Sequence, residues 1–218
     1  MNIEEFIAIW PVLKKQVRSL KLPWIDEMTI REREPFQVLI SCILSLRTQD
    51  KTTEEASRRL FRMARTPETL AQIPVAEIQK AIYPVGFYRV KAKQIREMSE
   101  EIVKKYRGRV PDTIEELLTL KGVGRKTANL VVTVGYNRDG ICVDTHVHRI
   151  ANRWGLIQTK NPTATEFALR EILPRKYWRQ LNGLLVAFGQ GICKPISPLC
   201  SVCRIYEVCD RVGVTKNR

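Results

Sequence analysis

Histidine is nearly missing from this sequence: His146 and His148 are the only two in 218 residues, which excludes a metal site built from histidines. Acidic residues are also short. Asp and Glu number 23 against 37 Lys and Arg, a formal net charge of +14. The excess is spread along the chain rather than gathered in a tail, the pattern of a folded protein that faces a polyanion. No apolar run reads as a membrane span, and no basic region precedes an apolar run at Met1-Asn2-Ile3-Glu4-Glu5, so the expectation is a cytoplasmic protein without a membrane partner. Strand alternation, low-complexity segments and long repeats are absent too. What is present is apolar residues at helical spacing in a chain long enough to bury a real core, which predicts an all-α fold.

Ile3, Phe6, Ile7 and Trp10 share a helix face, Pro11 is expected to kink or restart that helix, and Leu13, Val17 and Leu20 continue it. Lys21-Leu22-Pro23 marks a boundary. Phe36 to Ser45 is apolar nearly all round, as a central helix should be, and Asp50 is placed to cap a helix carrying Ala56, Leu60 and Phe61. Further helices are expected from Thr66-Pro67, over Pro74 to Ile82, Lys91 to Tyr106, Asn161-Pro162 to Leu173, and Tyr177 to Gly189. Arg89, Lys91, Lys93, Arg96, Lys104, Lys105, Arg107 and Arg109 outnumber Glu97, Glu100 and Glu101, which suggests phosphate contact.

The most informative stretch is Leu120-Lys121-Gly122-Val123-Gly124-Arg125-Lys126-Thr127-Ala128-Asn129. Asp112 with Glu115 reads as the opening of a short helix, with Ile114, Leu117, Leu118 and Leu120 on one face. Two glycines then interrupt it, permitting a positive φ and leaving backbone amides uncovered. A second helix from Arg125 puts those amides at an N-terminus, where an anion such as a phosphate is favoured. Val131-Val132-Thr133-Val134 has strand propensity but continues that helix. Lys126 lies in the first helical turn, where the dipole disfavours its charged form, as a nucleophilic amine requires. Asp144, in Val143-Asp144-Thr145-His146-Val147-His148-Arg149, is by residue type an N-cap for the next helix.

Cys193, Cys200, Cys203 and Cys209 form C-x6-C-x2-C-x5-C near the C-terminus. Four thiolates from one short segment can close around a tetrahedral metal or a cluster, and on spacing alone structural zinc is the default. Cys42 and Cys142 lie in apolar surroundings and read as core, so disulfides are the poor choice.

Leu120 to Asn129, Val143 to Arg149 and the cysteine array together resemble the endonuclease III family, DNA glycosylases and abasic-site lyases of base excision repair, and the resemblance runs over nearly the whole chain. It implies a helical barrel of six helices with the helix-hairpin-helix at 28–138, and a second helical domain from 1–27 and 139–218. It replaces zinc by a [4Fe-4S] cluster on the four cysteines. Lys126 becomes the amine that displaces the base and forms a Schiff base, and Asp144 the carboxylate that stabilises positive charge on the sugar. DNA contacts fall to Lys121, Gly122, Val123, Gly124, Arg125 and His146, with Arg47 in one DNA-entering loop and Phe87 as the apolar wedge of another. The implied partner is double-stranded DNA with damaged bases or abasic sites, met by a monomer at the nucleoid.

Lys121 stands where the family commonly has proline, and Leu46 and Arg47 replace the usual loop residues, so the preferred base is open. Oxidised pyrimidines come first, then uracil or thymine opposite guanine. Two other readings are a glycosylase of the same fold that uses water, against which Lys126 argues, and a non-catalytic DNA-binding module.

Overall fold

The computed structural model describes residues 1–18, 20 and 34–218, which are helical with no strand among them. The boundary expected at Lys21-Leu22-Pro23, and a domain division at 27/28, lie outside the described residues. The chain forms two compact units, Trp24–Gly140, and Met1–Pro23 with Ile141–Arg218.

In Trp24–Gly140 the first described helix after α1 (Ile3–Val17) is α2 (Pro35–Ser45), and every residue from Phe36 to Leu44 is buried. A helix apolar on all sides must be surrounded. α3 (Asp50–Met63) packs on it, and α4 (Pro67–Gln72) and α5 (Val75–Ile82) pack on the long α6 (Tyr88–Tyr106). Asp50 is the first residue of α3 rather than its cap, which is Gln49. α6 starts three residues before the expected Lys91, because Phe87 turns the chain with φ 57° and its carbonyl accepts from Lys91 N. On α6 the glutamates meet the basic run: Lys93–Glu97 at 3.7 Å, Arg96–Glu100 at 3.2 Å and Lys105–Glu101 at 3.6 Å. Three of the eight basic residues, Lys93, Arg96 and Lys105, are thus paired along the helix.

α7 (Ile114–Leu117) is capped by Thr113, whose hydroxyl accepts from Glu116 N at 3.3 Å. Asp112 is instead drawn to Arg138 at 2.8 Å and Arg109 at 3.3 Å. α8 (Arg125–Leu130) runs on into a π-helical turn over Val131–Gly135, closed by Tyr136 N to Val131 O at 3.1 Å. The strand-like residues are therefore helical, but in the wider form that crowded β-branched side chains tolerate. Thr133 adds a bond from its hydroxyl back to Asn129 O at 2.7 Å.

In the other unit, α1 is opened by a capping box between Asn2 and Glu5 and passes through Pro11 without a break. Pro11 and Ile7 lie on the exposed face, so water can satisfy the carbonyl that loses its partner. Phe6, Ile9, Trp10, Leu13 and Val17 hold the opposite face in the core. α9 (Thr145–Arg153), α10 (Pro162–Ile172) and α11 (Trp178–Gly191) complete the unit, with α1 and α9 both packed on α11. Its centre is aromatic: Phe6 lies 5.4 Å from Trp10, 6.4 Å from Trp154 and 5.6 Å from Tyr177, and Trp154 lies 6.1 Å from Phe188. Trp154 is buried, so Trp154→Ala is expected to lower stability by about 3–5 kcal/mol in a denaturant titration.

Candidate active site and thiol centre

The hairpin is pinned from below by Leu120 and Val123, both buried, and closed by Val123 N to Leu120 O at 3.1 Å. Only Gly122 takes a positive φ, 85°, and a Cβ there would lie 2.0 Å from Gln94 Nε2. Gly124 has an ordinary φ of −97° as the N-cap of α8, and a Cβ there would meet nothing within 4 Å. Neither conformation nor internal packing therefore requires glycine at 124; what its bare surface permits is close approach from outside. Lys121 and Lys126 are exposed and Arg125 half-buried. Thr127 to Leu130 are buried, so Lys126 sits on the outer side of the first turn of α8.

The segments carrying Arg47 and Phe87 meet in the same unit. Both residues are exposed, both adopt left-handed backbone, and the Arg47 guanidinium lies 5.8 Å from the centre of the Phe87 ring. Phe87 is 62% exposed, which removes a core role for it. Beneath them is Lys91, which is 5% exposed. Its Nζ donates to Leu44 O at 2.8 Å, Leu46 O at 2.6 Å and Thr48 Oγ1 at 3.2 Å. All three acceptors are neutral, and burial lowers the ammonium to about 8. The unfolded chain, with the ordinary lysine value, holds this proton more tightly, so stability should rise with pH between about 8 and 10.5. In denaturant titrations the stability of the parent relative to Lys91→Met should therefore increase between about pH 7.5 and about pH 9.5, a difference in which the other titrating groups cancel.

Asp144 caps α9: its Oδ1 accepts from His146 N at 2.8 Å and Val147 N at 2.9 Å, and Oδ2 takes neither bond. One turn on, Arg149 donates to Cys193 O at 2.9 Å and contacts His146 Nδ1 at 3.2 Å. Arg153 donates to Cys193 Sγ at 3.3 Å, Lys194 O at 2.8 Å and Pro195 O at 3.1 Å. The helix that begins at Asp144 thus ends on the first thiol of the array.

Cys193 is buried and Cys200, Cys203 and Cys209 half-buried, whereas Cys42 and Cys142 lie in the cores, as their surroundings predict. Burial pushes the Cys203 thiol up to about 11 and raises Cys200 and Cys209, and the neighbouring thiols of the array add to each shift. The Ile205 and Arg211 amides donate to Cys203 and Cys209 and work in the opposite direction. Among the described residues no three His, Cys, Asp or Glu side chains are set around a single metal ion. The loop is tied down by Gln16, which donates to Val202 O at 2.8 Å and accepts from Arg204 N at 3.1 Å, and by the buried Ile205.

Sequence reasoning found the hairpin, the cap and the array, but placed Lys91 only within a basic run and gave no role to Thr48, Arg149 and Arg153. Each is one basic or hydroxyl side chain among many until tertiary packing supplies its acceptors.

Residues 40–175 match the HhH-GPD superfamily of base excision DNA repair proteins. Endonuclease III of Thermotoga maritima is 50% identical over 180 residues, covering 83% of this chain and 84% of that protein. The chain belongs to the endonuclease III family. Endonuclease III-like protein 1 of Gallus gallus is 44% identical over 177 residues; these cover 80% of this chain and 63% of that longer protein. A solved endonuclease III–DNA covalent intermediate, trapped with an estranged adenine, superposes with a TM-score of 0.84 at 31% identity and covers 97% of both chains. Family membership makes the all-α expectation a shared fold, and no helix among the described residues is long and apolar enough to cross a membrane.

Proposed function

We infer that this base excision repair enzyme is a DNA glycosylase and abasic-site lyase that works through Lys126 and Asp144. The observation that carries the reading is Lys126 on the outer side of the first turn after the hairpin, next to a Gly124 whose bare surface serves no internal purpose. Backbone amides of Gly122, Gly124 and Arg125, in the turn that Val123 closes through its own bond to Leu120 O, hold the phosphates of a damaged duplex, with Lys121 beside them. The neutral Lys126 amine attacks the sugar C1′ of an extruded nucleotide, and the base leaves with the bonding electrons. The resulting alkylammonium passes a proton to the sugar ring oxygen as the C1′–O4′ bond breaks, which opens the ring and gives the protonated Schiff base; this acidifies the C2′ proton, whose removal expels the 3′ phosphate and cuts the strand. Asp144 uses Oδ1 to cap α9 and offers Oδ2 to the positive charge that develops on the sugar. His146, in the first turn after Asp144 and with Nδ1 toward Arg149, is a further DNA contact in this reading. Arg47 and Phe87 occupy the gap in the stack.

In this reading residues 28–138 form the hairpin-bearing domain, and 1–27 with 139–218 the domain that carries a [4Fe-4S] cluster. The four thiols fit that group: they come from one loop, and N–H donors from Arg153, Ile205 and Arg211 point at three of the sulfurs. When bound, the cluster supplies a structural cross-link to a loop with little core of its own. Purified protein should carry iron and sulfide and absorb visible light; a colourless zinc protein would overturn this.

The reaction is tested on a duplex with one oxidised pyrimidine. Free base together with a cut 3′ to the lesion is expected. Base release with an intact strand would move the assignment to a glycosylase that uses water, and neither product would leave a binding module.

A further inference from the structure

We propose that Lys91 is a positioning residue that clamps the segment after α2 to the start of α6, so that Arg47 and Phe87 enter the DNA stack as one preformed wedge. The proposal rests on the reading that these two residues enter DNA.

The carbonyls that Lys91 reaches belong to the last turn of α2 and its C-cap, groups left without helical partners. Its ammonium has three protons, and the three bonds to Leu44, Leu46 and Thr48 use them all. Thr48 extends the clamp: its hydroxyl accepts from Lys91 and, at 3.2 Å, from Gly86 N, while donating to Leu46 O at 3.3 Å. One hydroxyl therefore joins both loops and the amine. The loops touch as closely as backbone allows at Gly86, where a Cβ would lie 2.6 Å from Arg47 O. Gly86 has no positive φ, so this approach is the reason for glycine there.

What the clamp holds is strained and exposed. Arg47 at φ 54° and Phe87 at φ 57° are both in the left-handed region that side chains other than glycine rarely adopt, and they lie together at the surface. Such conformations persist where surroundings over-determine them. Nor does the clamp serve stability well, since an ammonium buried among neutral acceptors carries a desolvation cost that a methionine of similar length would avoid. What the charge adds is direction: three short bonds fix one loop against the other.

The test uses the intact protein and two measurements. The first is cleavage of an abasic site in duplex relative to single-stranded DNA, because only the duplex has a stack to open. The second is fluorescence of 2-aminopurine placed opposite a tetrahydrofuran abasic analogue. The duplex-to-single-strand ratio should fall by about tenfold or more in Lys91→Met, with loss of the fluorescence change. Gly86→Ala, which forces the loops apart without touching the amine, should do the same and serves if Lys91→Met fails to fold. Arg47→Ala and Phe87→Ala test the underlying reading. If these two lower the ratio while Lys91→Met and Gly86→Ala retain both signals, the clamp is wrong and the wedge stands. If all four leave the ratio unchanged, the wedge reading fails and takes the clamp with it.

Discussion

Lys126→Ala should yield no covalent adduct when the protein is mixed with a duplex bearing one abasic site and reduced with borohydride, whereas the parent is trapped. Strand cutting at the abasic site should fall by about 10³-fold or more, the scale on which a covalent nucleophile counts. The fold should be indifferent to the change. Lys126 is exposed, alanine is a better helix former, and α8 is held by the buried Thr127, Ala128, Asn129 and Leu130. Lys126→Arg separates charge from chemistry: it keeps a cation beside the hairpin, so duplex binding should stay close to the parent's, yet a guanidinium is never neutral enough to attack. Adduct formation that survives in Lys126→Ala would place the amine elsewhere and remove the central residue of the mechanism.

The features to which the proposed function is assigned were the ones most legible in the sequence, because they depend on residue type at short range. Gly122 announces a positive φ, Asp144 announces a cap, and four cysteines announce a thiol centre; each statement needs only a few neighbours. Element edges slipped by a residue where two capping side chains compete. Thr113 caps α7 because the arginines at 109 and 138 engage Asp112, and no local pattern reveals that Arg138 will be there. The π turn at Val131–Gly135 was likewise invisible, since β-branching gives the same signal for a strand and for a crowded helix. Lys91 is the clearest case. In the sequence it is one of eight basic residues before the hairpin and belongs with Lys93 as a phosphate contact. In the fold Lys93 pairs with Glu97 at the surface, and Lys91, two residues away and so on another side of α6, is buried under the loops. Helical phase decides between them, and phase is fixed only when α6 packs.

Asp144 carries two duties that substitution can separate. As a cap it offers Oδ1 to two amides, and an asparagine carbonyl oxygen can accept both bonds in the same geometry. Asp144→Asn should therefore unfold within about 0.5 kcal/mol of the parent, while Asp144→Ala, which leaves both amides without that acceptor, should lose about 1–2 kcal/mol. Base release depends on charge instead. With no carboxylate to meet positive charge on the sugar, both variants should lose about 10²–10⁴-fold in the single-turnover rate of base excision. The decisive comparison is the asparagine variant's rate against its stability. An intact cap with a collapsed rate assigns the carboxylate to the chemistry; an intact cap with an intact rate would reduce Asp144 to the start of a helix and leave Lys126 to act without it.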